Sequence, residues 1–193
     1  VGWGRNDESW SLDYRVYYGD PSGGAVWADL DSGLSQTWIT ESGKELGVRS
    51  ACIDSGGHHT QSVYSYVRPR EGRRIFAIKG IGGEAKPLIS RPTTNNIGRV
   101  KLFPVGVDTA KETVYSRFKI TQAGPGYCHF PEHYDQEYFR QLSAEQQVKR
   151  YHKGFLRREW QKIRPRNEAL DCRIYAMAAL AILNLDIRSE EHT

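Results

Sequence analysis

The sequence predicts an α/β fold with parallel strands, and three observations lead there. The strand-like stretches VRSACID (residues 48–54) and RRIFAIKG (73–80) flank HTQSVYSYVRP, in which Val63, Tyr66 and Val67 fall at i, i+3 and i+4 until Pro69 stops the pattern. A strand, a helix and a second strand in that order make a crossover unit whose strands run parallel. The 193 residues, 38% of them hydrophobic, suffice for one domain with a real core.

The other elements follow in order. VGWG reads as the tail of a strand, and SWSLDYRVYYG (Ser9 to Gly19), rich in aromatic and β-branched residues, as a strand closed by the turn GDPSGG. Val26, Trp27, Leu30, Leu34 and Trp38 predict a helix from Pro21 to about Ile39. After the crossover unit, GIGGEAKPLISRPTTNNIGR (80–99) reads as a long loop or loose hairpin, of the kind that often carries function. RVKLFPVG then makes a strand and DTAKETVYSRFKI a helix capped by Asp108. QAGPGYCHFPEH is a loop and SAEQQVKRYHKG a polar helix. RPRNEALDCRIYAMAALAILNL closes the chain as a helix apolar on nearly every side, which should be buried.

Several classes are excluded. No apolar run approaches the roughly 18 residues of a membrane helix, and VGWGRNDESW lacks the pattern of a signal peptide, so a cytosolic protein with no membrane contact is expected. Cys52, Cys128 and Cys172 are widely spaced and contain no CxxC pair, which suggests reduced, mostly buried thiols. No GxxxxGK[ST] is present, so a P-loop ATPase is not encoded here.

The net charge of +4 conceals one basic patch. KRYHKGFLRREWQKIRPR (149–166) holds eight Lys or Arg against one Glu, leaving the remainder of the chain at −3. Its cations Lys149, Arg150, Lys153, Arg157, Arg158, Lys162, Arg164 and Arg166 interleave with Tyr151, Phe155 and Trp160. Such a mixture of charge and stacking surface suits nucleic acid more than a solvated helix face, because the local charge is so one-sided. RPREGRR adds Arg68, Arg70, Arg73 and Arg74, and the Gly-rich segment brings Lys79 and Lys86.

The acids are harder to place. Asp54 leaves the end of its strand into SGGHHT, where it either caps the next helix or holds a metal. Glu168 and Asp171, three residues apart, share a face of an otherwise apolar helix. They favour the helix dipole there, and Asp171 can pair with Arg173 or Arg166. Equally, hard divalent ions need oxygen ligands, and Asp54, Glu168 and Asp171 together suit metal-dependent phosphodiester chemistry. His58 and His59 suit a turn and cap more than a ligand set, and His129 suits a structural role.

CIDSGGHHT, FAIKG, FPVGVDTAKETVYSRF, GPGYCHFP and RPRNEALDCRIYAMAAL, in this order, resemble the nuclease domain of the lambda-type phage terminase large subunit, the GpA family. The resemblance covers nearly the whole chain, making residues 1–193 one endonuclease domain. It implies a ribonuclease H-like fold, a mixed central sheet flanked by helices, that uses Mg2+ or Mn2+, two ions at once, to cut concatemeric double-stranded viral DNA during packaging in the host bacterial cytoplasm. On it Asp54 matches the acid ending the strand in CIDSGG, and Glu168 and Asp171 match those of NEALDC, as catalytic metal ligands. The family carries a further acid on a first strand preceding VGWG, which implies an N-terminally truncated domain without that strand and without the family's ATPase domain. Partners implied are double-stranded DNA, the ATPase domain of the same subunit, a small terminase subunit and a portal. Two other readings stay open: a non-catalytic DNA-binding or assembly remnant of a prophage, and a ribonuclease H-like enzyme acting on another nucleic acid.

Overall fold

The computed structural model of the chain describes residues 1–94 and 99–190, with side chains as far as Asn184. It is a mixed α/β structure with five α-helices among those residues. In chain order the elements are β1 (Gly2–Trp3), β2 (Ser9–Trp10), α1 (Ala25–Leu34), β3 (Thr37–Ile39), β4 (Glu45–Gly47), β5 (Ala51–Asp54), α2 (Thr60–Val67), β6 (Ile75–Ile81), β7 (Thr93–Thr94), β8 (Lys101–Gly106), α3 (Val107–Arg117), β9 (Cys128–His129), α4 (Gln136–Leu142), β10 (Glu145–His152), β11 (Phe155–Lys162) and α5 (Glu168–Glu190). None of the helices is long and apolar enough to cross a membrane. The elements group into two compact units, one of Val1–Tyr14, Ile81–Leu88 and Gly106–Met177, the other of Arg15–Gly80, Ile89–Val105 and Ala178–Thr193.

The second unit contains the predicted crossover. Its four-stranded sheet has the order β5-β6-β8-β7, with β5 and β6 parallel and Asp54 opposite Ile78. Between those strands α2 buries Val63, Tyr64, Tyr66 and Val67 against Ile75, Ala77 and Val100, and Trp27, Leu30 and Leu34 of α1 join the cluster. The helical spacing read from the sequence is therefore the spacing of a buried face. Pro69 sits in the 3-10 turn Arg68–Arg73 that follows α2. Thr93 and Thr94 pair antiparallel with β8, and Ile89 bridges Val105, so the Gly-rich segment returns as a loose hairpin. Residues 95–98 of that expected loop lie outside the described residues.

Helix α1 stops earlier than its apolar spacing predicts. The amide and hydroxyl of Ser35 both turn back to the carbonyl of Asp31, at 3.1 and 2.8 Å, and close the helix after Leu34. Trp38, which continues the helical spacing in the sequence, instead faces Leu46 across the antiparallel hairpin β3–β4.

The first unit holds a three-stranded sheet of order β1-β2-β9, in which Ser9 lies parallel to and opposite Cys128. The strand expected from Ser9 to Gly19 is only Ser9–Trp10 long, because its sheet partner, β9, is itself two residues long. Around it Tyr138, Leu142 and Ala169 form a core with Tyr14, Phe118, Phe130 and Tyr134. In this unit α5 buries Ala169, Leu170, Arg173, Ile174 and Met177 but exposes Glu168 and Cys172, so it is buried on one side rather than all round. The cysteines divide likewise: Cys128 is buried, Cys52 half-buried and Cys172 exposed.

Two local expectations are corrected here. Asp108 does not cap α3, because the cap position is Gly106 and Asp108 lies within the first turn. Its carboxylate accepts the Gly83 amide at 2.7 Å instead and tethers the Gly-rich segment, helped by Thr109 donating to the Lys86 carbonyl at 2.6 Å.

The second correction concerns SAEQQVKRYHKG, which is not a helix. The helix is α4, just upstream, capped by Asp135 accepting the Tyr138 amide at 2.8 Å. From Glu145 the chain forms β10, which pairs antiparallel with β11 in eight rungs from Glu145↔Lys162 to His152↔Phe155. Lys153 (φ 51°) and Gly154 (φ 83°) turn the chain between them, and two positive φ values at the centre are what the two-residue turn of a twisted hairpin demands. The basic patch thus lies on a β-hairpin arm and its tail, not on a helix face.

Candidate metal centre and nucleic-acid interface

In the second unit, Asp54 is the last residue of β5 and is half-buried. Beyond it Ser55 anchors the chain, its amide and hydroxyl both donating to the Ile78 carbonyl at 2.9 Å. The chain then turns sharply enough for the Gly56 amide to donate to Asp54 Oδ1 at 2.9 Å. A Cβ on Gly56 would come within 3.2 Å of that oxygen, so the glycine leaves room for the carboxylate. Thr60 closes the turn by donating to the Ser55 carbonyl at 2.8 Å. His58 and His59 are exposed, and His59 occupies the N-cap position of α2 without a capping bond from its side chain.

In the first unit, Glu168 and Asp171 occupy the first turn of α5. Glu168 is exposed and meets Arg166 at 3.3 Å, while Asp171 is half-buried. Arg173 lies two residues beyond Asp171 on α5. It is buried, donates to the hydroxyls of Ser9 and Ser11 and to Cys128 Sγ, and holds the start of α5 to β2 and β9. Two neighbours register the acids' field. Crowding by the surrounding protein pushes the Cys172 thiol up to about 11, with Asp171 and then Glu168 adding to it; the residue itself is exposed, so solvent tempers that shift. Tyr14 is raised by burial, then by Cys172 and Glu168.

Carboxylate oxygens one helical turn apart in such a field fit a hard divalent cation. Within neither unit do three or more His, Cys, Asp or Glu side chains gather as a ready cage among the described residues. Mg2+ does not require one, since it keeps several waters and is commonly held by one or two carboxylates plus substrate phosphate. The exposed Arg166–Glu168 pair is weak and leaves the carboxylate open to other partners.

The basic residues divide into committed and outward-facing ones. Arg70 and Arg73 reach Asp31 Oδ1 at 3.0 and 2.8 Å, and Arg70 also lies 4.1 Å over the Tyr66 ring, so both tie the turn after α2 to α1. Hydrogen bonds from Arg70, then Arg73 and Tyr66, hold the Asp31 carboxyl below the usual range. Arg68 and Lys79 are exposed, and Arg74 is half-buried at the left-handed end of the turn. On the arm, Lys149, Arg150, Lys153, Arg157, Arg158 and Lys162 are all exposed, as are Arg164 and Arg166 after it. Lys162 Nζ also donates to Asn167 Oδ1 at 2.7 Å.

Sequence reasoning misses the residues that hold the arm. Glu145 Oε2 accepts from Lys111 Nζ at 2.6 Å and Oε1 from Asn167 at 2.9 Å, while its carbonyl accepts the Tyr115 hydroxyl at 2.6 Å. Nothing in the polar run AEQQV marks Glu145 as different from its neighbours. His129 meets Glu8 at 2.8 Å and stacks on Trp10, a structural setting in accord with its reading from sequence.

Among known proteins the chain is similar to large subunits of phage terminases. It is 36% identical over 188 residues to the terminase large subunit of Escherichia phage lambda and 33% identical over 189 residues to that of Enterobacteria phage P21, covering 94% of this chain in each case. It spans 29% of the length of each of these relatives. The family profile "Terminase large subunit gpA, endonuclease domain" matches residues 1–192, and the chain belongs to that family. No solved structure matches it.

Proposed function

We propose that the chain is a metal-dependent endodeoxyribonuclease domain that cuts concatemeric double-stranded viral DNA during genome packaging. The observation that carries this reading is the pair Glu168 and Asp171 on the first turn of α5, in a chain of the terminase endonuclease-domain family. Two Mg2+ or Mn2+ ions, when bound, would supply Lewis-acid activation of water and stabilisation of charge on the leaving oxygen. Glu168 and Asp171 offer oxygen ligands from α5 in the first unit, and Asp54, at the end of β5 in the second, is a further candidate oxygen ligand. Arg166, beside Glu168, can neutralise a phosphate entering next to the acids. Cations of residues 149–166 hold the phosphate backbone, and Arg68, Arg74 and Lys79 of the second unit are further candidates for phosphate contact. Arg70 and Arg73, committed to Asp31, support the turn that carries Arg68 and Arg74.

A ribonuclease H-like fold agrees with a mixed sheet whose parallel pair β5–β6 ends in an acid. In this reading the domain works beside the ATPase domain of its own subunit, a small terminase subunit and a portal, in the cytoplasm of the host bacterium.

The test is nicking of a supercoiled plasmid with Mn2+, with Mg2+ and with EDTA, alongside Asp171→Ala. Metal-dependent nicking that disappears in the variant supports the reading. A second reading, a DNA-holding module without catalysis, is supported by the exposed cations of residues 149–166, which need no metal to bind phosphate. Binding that persists in EDTA with no nicking under any metal would establish it instead.

A further inference from the structure

The arm formed by β10 and β11 has an architecture that a solvated surface strand does not need. Its first rungs are built into the first unit: Glu145 on Lys111, Asn167 and Tyr115, Gln147 on Glu112 at 2.9 Å, and Trp160 against the Tyr115 ring at 5.0 Å. Glu84 further steadies β11 by accepting the Arg158 amide at 3.0 Å. Every residue from Lys149 to Glu159 is nonetheless exposed.

In that outer part Lys149 stands opposite Arg158, and Arg150 opposite Arg157. Like charges directly across a ladder destabilise it, and a two-stranded ribbon in water has little stability to spare. Residues 149–158 carry five Lys or Arg and no acid. Lysines on an open strand do discourage aggregation. That purpose leaves the tip unexplained, where Tyr151 is 79%, Phe155 74% and Leu156 50% exposed on the last two rungs.

We infer that the arm is a two-stranded ribbon that enters the major groove of duplex DNA, with its like-charge rungs against the flanking phosphates and its apolar tip against base edges. The inference rests on the reading of the chain as a DNA-acting domain and specifies how it holds its substrate. The dimensions agree: the four outer rungs span three steps of about 3.3 Å, roughly 10 Å, against a groove about 8.5 Å deep and wide enough for a two-stranded ribbon. Within the arm Arg150 meets Glu159 at 3.8 Å, an exposed and therefore weak pair; phosphate supplies the counter-charge for Lys149, Arg157 and Arg158. The root also fixes where the bound duplex lies, because Asn167, which donates to Glu145 and accepts from Lys162, is the residue immediately before Glu168.

The experiment measures binding of the chain to a fluorescent 30-base-pair duplex in EDTA, where no cleavage competes. Three probes are compared: the plain duplex, the same duplex with glucosylated hydroxymethylcytosines filling the major groove, and the single strand. Two variants are used, Lys149→Gln/Arg150→Gln/Arg157→Gln/Arg158→Gln for the rungs and Tyr151→Ser/Phe155→Ser/Leu156→Ser for the tip, each checked for an unchanged thermal midpoint. The parent should bind the plain duplex at least about tenfold more tightly than either other probe. The rung variant should lose most of that affinity and flatten the dependence of log K on log salt by about 0.9 for each phosphate it no longer neutralises. The tip variant should weaken binding without changing that slope and should no longer distinguish the two duplexes. Equal binding of the two duplexes by the parent, a preference for the single strand, or parental affinity in the rung variant would overturn the inference. Nicking with Mn2+, measured separately, keeps the two readings apart: arm-dependent binding without nicking defeats only the nuclease reading, and nicking by a chain whose arm variants bind normally defeats only this one.

Discussion

The ammonium of Lys111 lies 2.6 Å from Glu145 Oε2, and both side chains are about nine-tenths buried. The pair joins α3 to the first rung of the arm, and Asn167 brings the residue before Glu168 into the same network. Removing one member of such a pair strands the other charge in the interior, which costs about 3 kcal/mol or more. Lys111→Met should therefore lower the urea midpoint by a corresponding amount. Lys111→Met/Glu145→Leu, which leaves no charge behind, should recover a good part of the loss. A single variant as stable as the parent would show that Glu145 is satisfied without Lys111.

Little in the sequence marks this network, and the reason is physical. The crossover unit is legible because Val63, Tyr66 and Val67 bury one face, and burial imposes a period. The arm buries neither face beyond its root, so VKRYH and FLRRE carry no apolar alternation, and the first of them reads as polar helix. The available signal is Lys153-Gly154 between two runs containing Tyr151 and Phe155, a two-residue turn ending in glycine. Trp38 misleads in the opposite direction, since it continues the helical spacing of α1 but lies after Ser35 has ended the helix. Pairing of Ser9 with Cys128 is beyond any local pattern, being set by partners more than a hundred residues apart. Glu168 and Asp171 stand out in the sequence because they interrupt an otherwise apolar run. The acceptors of the buried Arg173, namely Ser9, Ser11 and Cys128, escape a local reading because they come from distant segments.

Asp31 predicts a pH dependence of stability. Its folded carboxyl titrates below the usual range because Arg70, then Arg73 and Tyr66, bond to the charged form. A depressed folded pKa means that the stabilisation is complete above the unfolded value of about 3.9 and is lost as pH falls through the lower folded value. Partial exposure of all three charged groups limits the effect to about 1 kcal/mol at pH 7. Asp31→Asn should be less stable than the parent by that amount in urea at pH 7, and the two should converge near pH 2. A gap that stays constant over this range would assign the effect to packing.

Glu168 and Asp171 predict a pattern of lost activity rather than lost fold. Glu168→Gln keeps the size of an exposed side chain, so stability should change by less than about 0.5 kcal/mol. Asp171→Asn keeps a polar group at a half-buried position. If both acids hold the ion, either variant should reduce Mn2+-dependent nicking by about 100-fold or more, the upper end of what even outer-shell changes cause at metal sites. Nicking rates measured across Mn2+ concentrations should show a raised metal requirement in each. Full activity in Glu168→Gln at low Mn2+ would leave Glu168 as a helix-dipole partner only.

Gly56 and Asp54 separate the two roles that an acid at this strand end can play. Asp54 Oδ1 already accepts the Gly56 amide, so the carboxylate shapes its own turn whether or not it binds metal. Asp54→Asn retains that acceptor and removes the charge, and should leave the thermal midpoint within a few degrees of the parent. Gly56→Ala does the reverse, keeping the charge while placing a methyl 3.2 Å from Oδ1 and 3.5 Å from Oδ2, so the carboxylate must shift by a few tenths of an ångström. Metal chemistry is sensitive to such displacements, with about 1 Å of misplacement costing on the order of 100-fold. A ligand role for Asp54 therefore predicts nicking reduced several-fold in Gly56→Ala and about 100-fold or more in Asp54→Asn, both in well-folded proteins. A role confined to the turn predicts parental nicking in Asp54→Asn, because the amide still finds its acceptor, and that result would take Asp54 out of the site.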